Sequence, residues 1–193
     1  MAFRRPRWLW LLALLLLIPF LAGGQEAVPS PLRDTSPPDP APALVKPDFN
    51  GIYVFDERAS DDIQRAIEAT VSKMGFIVRP IARGRLKKDN PAFKRVEIRH
   101  QAETIVIAND GLPVRTPSEG TRVAWPRPDG ATFTVSTRPE GGAWVQRFWA
   151  KDGVRTNTYT LSPDGQTLTM AVEITSPRLP QPLKYQLVYQ RVM

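Results

Sequence analysis

The sequence predicts an all-β fold, an antiparallel up-and-down barrel of about eight to ten strands with a helical insertion between strands 1 and 2. After Pro91, about nine stretches alternate apolar and polar side chains in the two-residue period of a half-buried strand. Short connections rich in glycine, proline, aspartate and asparagine separate them, so consecutive strands must be antiparallel. A sheet of this length leaves open edges unless it closes on itself, although a two-sheet sandwich fits the same spacing.

The clearest unit is a hairpin over residues 154–174. Its second half alternates strictly between apolar side chains and threonine, alanine or glutamate, and its first half alternates in the same way. Residues 162–165 (SPDG) join the halves, with proline to fix φ early in the turn and glycine to allow positive φ at its exit. This pattern predicts two adjacent antiparallel strands.

The other elements follow in chain order. The first helix is predicted to have Ser60 as its cap and to end at Gly75 in a left-handed conformation. A second, shorter helix is predicted over residues 80–88, with Ile81 and Leu86 facing inward. The strands are predicted at residues 48–55, 93–100, 103–108, 112–115, 122–125, 131–137, 143–150, 154–161, 167–175 and 183–192.

The first 24 residues predict an export signal. Three arginines precede a continuous apolar run over residues 8–22, which is shorter than the roughly 20 residues that a membrane-spanning helix needs. Small residues then precede Gln25, where we expect cleavage. The expected location is therefore the periplasm, and the alternative is a domain anchored to the inner membrane by an uncleaved signal.

Proline recurs between the signal and the first strand. It is too dense there for a helix or a sheet ladder, so this segment is predicted to be a semi-extended linker. The predicted organisation is a signal peptide over residues 1–24, a linker over 25–47 and a barrel domain over 48–193.

The composition disfavours several classes of function. The 26 Lys and Arg against 19 Asp and Glu give a net charge of +7, which suits anionic partners, but aromatic residues are too sparse in the basic stretches to favour nucleic acid. There is no cysteine, and the single histidine, His100, has no nucleophile pattern near it. We therefore predict no catalytic residues, no metal site and no cofactor, and expect that the protein is not an enzyme.

The last predicted strand carries a buried cation. Leu183, Tyr185, Leu187, Tyr189 and Arg191 share one face, and their bulk should turn that face inward. A buried guanidinium needs a carboxylate, an aromatic ring, backbone carbonyls or a ligand anion. Arg191 therefore either closes one end of the barrel or binds the head group of a ligand.

Two further sets of residues have either a structural or a binding role. Arg155, Asn157 and Tyr159 form a polar row on an inward strand face. The basic stretch over residues 79–95 is either a solvated helix face or a landing site for an anionic surface. The predicted ligand-binding residues are Arg191, Tyr189, Tyr185, Arg155, Asn157, Tyr159, Arg79 and Arg83.

Several of these residues carry a family resemblance. Residues 49–53 (FNGIY) resemble the FxGxW opening of lipocalin-like proteins, and Arg191 resembles the arginine that packs on that tryptophan. The order of strand, helical pair and long meander resembles the fatty-acid-binding-protein branch of the same calycin group. Residues 161–168 (LSPDGQTL), with Tyr185 and Tyr189, are similar to the C-terminal half of uncharacterised bacterial exported lipocalin-like proteins.

The resemblance implies a barrel that holds a small apolar ligand, although barrels of about eight strands can also be filled by their own side chains. Our first hypothesis is an exported, non-catalytic binding module for a small hydrophobic or amphipathic anion. The alternative is a cell-envelope structural or interaction protein with a filled barrel and a basic helical contact face. The sequence predicts neither the ligand nor the oligomeric state.

Overall fold

The computed structural model describes residues 47–192, so the predicted signal over 1–24 and all of the linker before Pro47 lie outside the described residues. The described part forms one antiparallel sheet, nearly closed into a barrel, with two helices between the first two strands, which confirms the predicted fold class. The elements are β1 (Gly51–Asp56), α1 (Ile63–Val71), α2 (Arg79–Asp89), β2 (Arg95–Gln101), β3 (Thr104–Asn109), β4 (Leu112–Pro117), β5 (Val123–Pro126), β6 (Thr132–Glu140), β7 (Ala143–Ala150), β8 (Gly153–Leu161), β9 (Thr167–Thr175) and β10 (Leu183–Val192).

The strands follow one another around the barrel in chain order. The order β4-β3-β2-β1-β10-β9-β8-β7-β6-β5 pairs the first strand with the last and leaves one gap in the ladder, between β4 and β5. At this gap the Trp125 indole Nε1 donates to the Pro113 carbonyl at 3.1 Å. Val114, Val135 and Phe148 form a separate apolar cluster nearby. Side chains thus hold β4 and β5 together where backbone hydrogen bonds are missing.

The first helix is fixed to the barrel by its apolar stripe. Ile63, Ile67 and Val71 are buried in the same core as the inward side chains of the strands. Burying a side chain of this size contributes about 1.5 to 3 kcal/mol. The second helix contains no buried residue and packs on the core only in part, through Ala82 and Leu86.

The predicted N-terminal cap of the first helix is wrong. Asp62, and not Ser60, is the cap, and its carboxylate accepts from the backbone nitrogens of Gln64 and Arg65 at 2.8 and 3.2 Å. The Ser60 hydroxyl instead accepts from the Val188 backbone nitrogen at 2.8 Å. The hydroxyl is therefore used to fasten the approach to α1 onto β10.

Two predictions at the other end of the helical insertion are also wrong. The first helix ends at Val71 with a right-handed Ser72 cap, before Gly75, whose φ is not positive. Ile81 is 58% exposed because α2 turns it away from the barrel, whereas Leu86 faces the core as predicted. Among residues 47–192, no helix is long and apolar enough to span a membrane.

Candidate functional site

The inner wall of the barrel carries a polar cluster within an apolar core. The register of β7 and β8 places Gln146 opposite Asn157, and Arg155 and Tyr159 share the inward face of β8 with Asn157. Tyr185 reaches the same region from β10. Gln146, Asn157 and Tyr159 are at most 1% exposed, whereas Arg155 is half-buried.

The Arg155 guanidinium is the charged group of this cluster. Its Nε donates to Asn157 Oδ1 at 2.8 Å and its Nη1 to Asn90 Oδ1 at 3.0 Å, while the Phe93 ring lies 5.9 Å away. Its Nη2 is buried without a hydrogen-bond partner, and none of the ion pairs within residues 47–192 includes this guanidinium. The positive charge is therefore surrounded by neutral groups.

The neighbouring side chains form a chain of hydrogen bonds. The Tyr185 hydroxyl donates to Asn90 Oδ1 at 3.1 Å, so this one oxygen accepts from both tyrosine and arginine. Further along the cluster, Asn157 Nδ2 donates to the Tyr159 hydroxyl at 3.3 Å, and that hydroxyl donates to Gln146 Oε1 at 3.4 Å. Both of these distances exceed the usual range for their donor types, so this end of the chain is loosely bonded.

Several buried polar atoms of the described residues have no hydrogen-bond partner. Among the described residues these include Gln146 Nε2, the Tyr189 hydroxyl, Thr116 Oγ1 and Thr137 Oγ1, together with Arg155 Nη2. A buried polar group without a hydrogen bond costs about 1 to 3 kcal/mol, and such groups are usually satisfied by ordered water or a ligand. The interior thus offers several unused donors and acceptors to a polar group.

The four tyrosines of the chain make the stability of the protein depend on pH in the alkaline range. Burial raises the pKa of Tyr53, Tyr159, Tyr185 and Tyr189. Their contribution to stability is therefore complete below the unfolded-state pKa of about 10 and is lost as the pH rises further, through the folded-state values. We expect no tyrosinate absorbance from the native protein near pH 10, with tyrosinate appearing only as circular dichroism reports unfolding. A tyrosine that ionises near pH 10 in a fully folded protein would contradict this expectation.

Arg191 lies apart from the cluster, beside β1. Its Nη2 donates to the Asp48 carbonyl at 2.6 Å and to the Tyr53 hydroxyl at 2.7 Å, and the guanidinium lies 5.2 Å from the Tyr53 ring centre. The Tyr53 hydroxyl in turn donates to the Phe49 carbonyl at 2.9 Å. Gly51 leaves room for this arrangement, because a Cβ there would come within 3.3 Å of Arg191 Nε. These contacts tie the end of β10 to β1 and to the residues before it.

The two predicted arginines of the helical insertion lie in contacts between the helices. Arg79 Nη2 donates to the carbonyls of Ser72 and Met74 at 2.8 and 2.9 Å, and Arg83 Nη2 donates to Glu68 at 2.8 Å. Both side chains thus tie α2 to the end of α1. The predicted site residues that the fold brings together are Arg155, Asn157, Tyr159, Tyr185 and Tyr189.

Two members of the cluster are missing from the sequence-based prediction. Gln146 is an inward polar residue in an otherwise apolar strand, and the alternation of β7 could have revealed it. Asn90 precedes a proline and lies just beyond the second helix predicted over residues 80–88. Its contacts with Arg155 and Tyr185 depend on tertiary structure and leave no local signal.

Other features of the described residues do not form a comparable site. One shallow pocket lies over the outer side of β8–β10 and another over β2–β4, where Arg99 and Arg115 line it. Within residues 47–192, no three acidic or histidine side chains are grouped in a way that could hold a metal ion.

No protein-family model matches the sequence, and no curated protein matches it. Among solved structures, an abundant heat-soluble (SAHS) protein from Ramazzottius varieornatus is similar, with a TM-score of 0.51, 11% identity and coverage of 74% of this chain and 94% of that chain. This likeness concerns the fold, a nearly closed antiparallel barrel of ten strands.

Further solved structures are similar at lower scores. The REP1-NXSQ fatty acid transporter has a TM-score of 0.48, 13% identity and coverage of 75% of this chain and 96% of that chain. Zebrafish ileal bile acid-binding protein has a TM-score of 0.46, 14% identity and coverage of 75% and 98%. At these values the likeness concerns the fold alone. The finer likeness to bacterial exported proteins has no support here and stays a prediction.

Proposed function

We propose that the barrel is a non-catalytic binding module for a small amphipathic anion whose head group contacts Arg155. The observation that carries this proposal is a half-buried guanidinium with neutral partners, whose buried Nη2 has no hydrogen-bond partner among the described residues. A charge that is partly removed from water without a counter-charge is stabilised by an anion that enters the site.

The donors around the guanidinium indicate the class of head group. Guanidinium binds carboxylates and related oxyanions through paired hydrogen bonds, and Gln146 Nε2 and the Tyr189 hydroxyl are available nearby. Arg155 is the one formal charge among these groups, which suits a singly charged carboxylate. The apolar part of the ligand would contact side chains such as Met170 and Leu187.

The proposal includes the export predicted from the first 24 residues. A cleaved signal would place the barrel in the periplasm, and an uncleaved signal would hold it at the inner membrane through the proline-rich linker. Either setting suits a carrier of small amphiphiles.

Binding of two surfactants with the same hydrocarbon chain tests the anion site. Isothermal titration calorimetry should show saturable binding of dodecanoate and no comparable binding of dodecyltrimethylammonium, because only the first carries a charge opposite to that of Arg155. Equal binding of both, or of neither, would argue against the proposal.

A second function is favoured by the turn between the helices. Phe76, Ile77 and Val78 are 82%, 69% and 49% exposed, and Ile81 is 58% exposed. We call these four residues the apolar tip. Adjacent large apolar side chains in solvent mark an interaction surface. The second helix adds the exposed cations Arg85, Lys87 and Lys88. This combination supports contact with an anionic membrane surface, with the tip entering the interface and the cations facing lipid head groups.

Vesicle binding tests this second function. The double variant F76S/I77S should reduce co-sedimentation with phosphatidylglycerol vesicles about tenfold or more, because each lost side chain removes about 1 kcal/mol or more of apolar burial. Leu112→Ser is a matched control, since Leu112 is also an exposed apolar residue but lies on β4. Equal binding by wild type and the double variant would exclude the tip as the contact.

A further inference from the structure

One buried side chain connects the second helix to the proposed anion site. Asn90 is the C-terminal cap residue of α2 and is 2% exposed. Its amide oxygen accepts from Arg155 Nη1 at 3.0 Å and from the Tyr185 hydroxyl at 3.1 Å. Its amide nitrogen donates to the Leu86 carbonyl in the last turn of the helix at 2.8 Å. The Asn90 side chain therefore joins Arg155 and Tyr185 of the proposed anion site to the last turn of α2.

The second helix has few other attachments to the barrel. It buries no residue, and the bonds of Arg79 and Arg83 run to α1 or to the residues that follow it. Among residues 47–192, the hydrogen bonds from this helix and its cap into the barrel interior all pass through Asn90. Loss of these bonds should leave α2 held by its contacts with α1 and by the partly buried side chains of Ala82 and Leu86.

We propose that Asn90 determines the affinity of the site for anions and couples it to the second helix. The inference rests on the proposed anion site at Arg155. Two donors converge on the Asn90 amide oxygen, as they would on a carboxylate oxygen, and a charged acceptor binds such donors more strongly than an amide does. A ligand carboxylate replaces Asn90 between Arg155 and Tyr185, and the released side chain loosens the end of α2. Because coupling is reciprocal, a looser α2 also favours the anion.

The variant Asn90→Asp tests whether a ligand carboxylate replaces the Asn90 side chain between Arg155 and Tyr185. Asn90→Asp keeps the shape of the side chain but adds a carboxylate next to Arg155, so it should compete internally and lower dodecanoate affinity at least tenfold. Asn50→Asp is the matched control, because Asn50 is exposed and its side-chain oxygen accepts from the His100 backbone nitrogen, as an aspartate can. We expect this control to bind dodecanoate as the wild type does.

Hydrogen exchange of the intact protein tests the coupling. Dodecanoate should speed amide exchange in the last turn of α2 at least threefold in the wild type. In Asn90→Ala, exchange there should be fast without dodecanoate and unchanged by it, and dodecanoate should bind more tightly than to the wild type. Slow, wild-type-like exchange in Asn90→Ala would overturn the coupling.

The outcomes separate this inference from the proposed function. If Arg155→Gln abolishes dodecanoate binding while Asn90→Asp binds normally, the anion site stands and the role of Asn90 falls. If Arg155→Gln binds dodecanoate like the wild type, the anion site itself is wrong.

Discussion

Replacing Arg155 by glutamine should lower the affinity for dodecanoate about 100-fold and leave the free energy of unfolding within about 1 kcal/mol of the wild-type value. A hydrogen bond to a charged group contributes about 1.5 to 3 kcal/mol, so loss of the guanidinium removes most of the head-group binding. Stability changes little because the bonds lost to Asn90 and Asn157 are offset by removal of a half-buried charge without a counter-ion. Calorimetry and urea unfolding measure the two quantities.

Arg115→Gln is the control for this change. Arg115 lies on β4 and is exposed, so the same loss of charge there should alter neither quantity. A loss of several kcal/mol of stability in Arg155→Gln with unchanged dodecanoate affinity would show that Arg155 is a structural residue. That result would support the alternative of a filled barrel.

Replacing Arg191 by methionine should lower the stability of the protein and leave its dodecanoate affinity unchanged, which is the reverse of the result expected for Arg155→Gln. We expect the free energy of unfolding to fall by about 2 to 4 kcal/mol, because the Asp48 carbonyl and the Tyr53 hydroxyl lose a charged donor and the Tyr53 ring loses its cation. Methionine retains most of the apolar length of the side chain, so the loss reports the polar contacts. Dodecanoate affinity should remain at the wild-type value, since Arg191 lies outside the polar cluster.

Urea unfolding and calorimetry of the same preparation decide between the two roles proposed for Arg191. A variant that is as stable as the wild type but no longer binds dodecanoate would make Arg191 the head-group residue. In that case the barrel closure near β1 would need another explanation.

Much of the barrel could be predicted because strand and turn signals are local. The strand bounds predicted for residues 143–150, 167–175 and 183–192 match the structure to the residue, because alternation and the turns that bound it are local signals. Short turns then fixed neighbouring strands as antiparallel, and the need to cover sheet edges predicted closure. The gap between β4 and β5 has no such signal, because it depends on how far the whole sheet curves.

The candidate site was harder to predict because alternation tells only which face a side chain occupies. Arg155 and Arg191 both lie on inward faces, but the stagger of the strands places one in a polar cluster and the other beside Tyr53. The ends of the helical insertion were mispredicted for a related reason. Ser60 has the chemistry of a cap, yet its hydroxyl bonds to β10 in the folded chain. Tertiary contacts decide such cases.

Native mass spectrometry of the protein isolated from its own cells tests the central claim most directly. We expect a population with extra mass that dissociates on denaturation, and extraction should identify the added molecule as a small amphipathic anion. The Arg155→Gln variant, produced in the same cells, should lack that mass while remaining folded. A wild-type protein that carries a neutral or cationic molecule, or whose extra mass persists unchanged in Arg155→Gln, would contradict the claim.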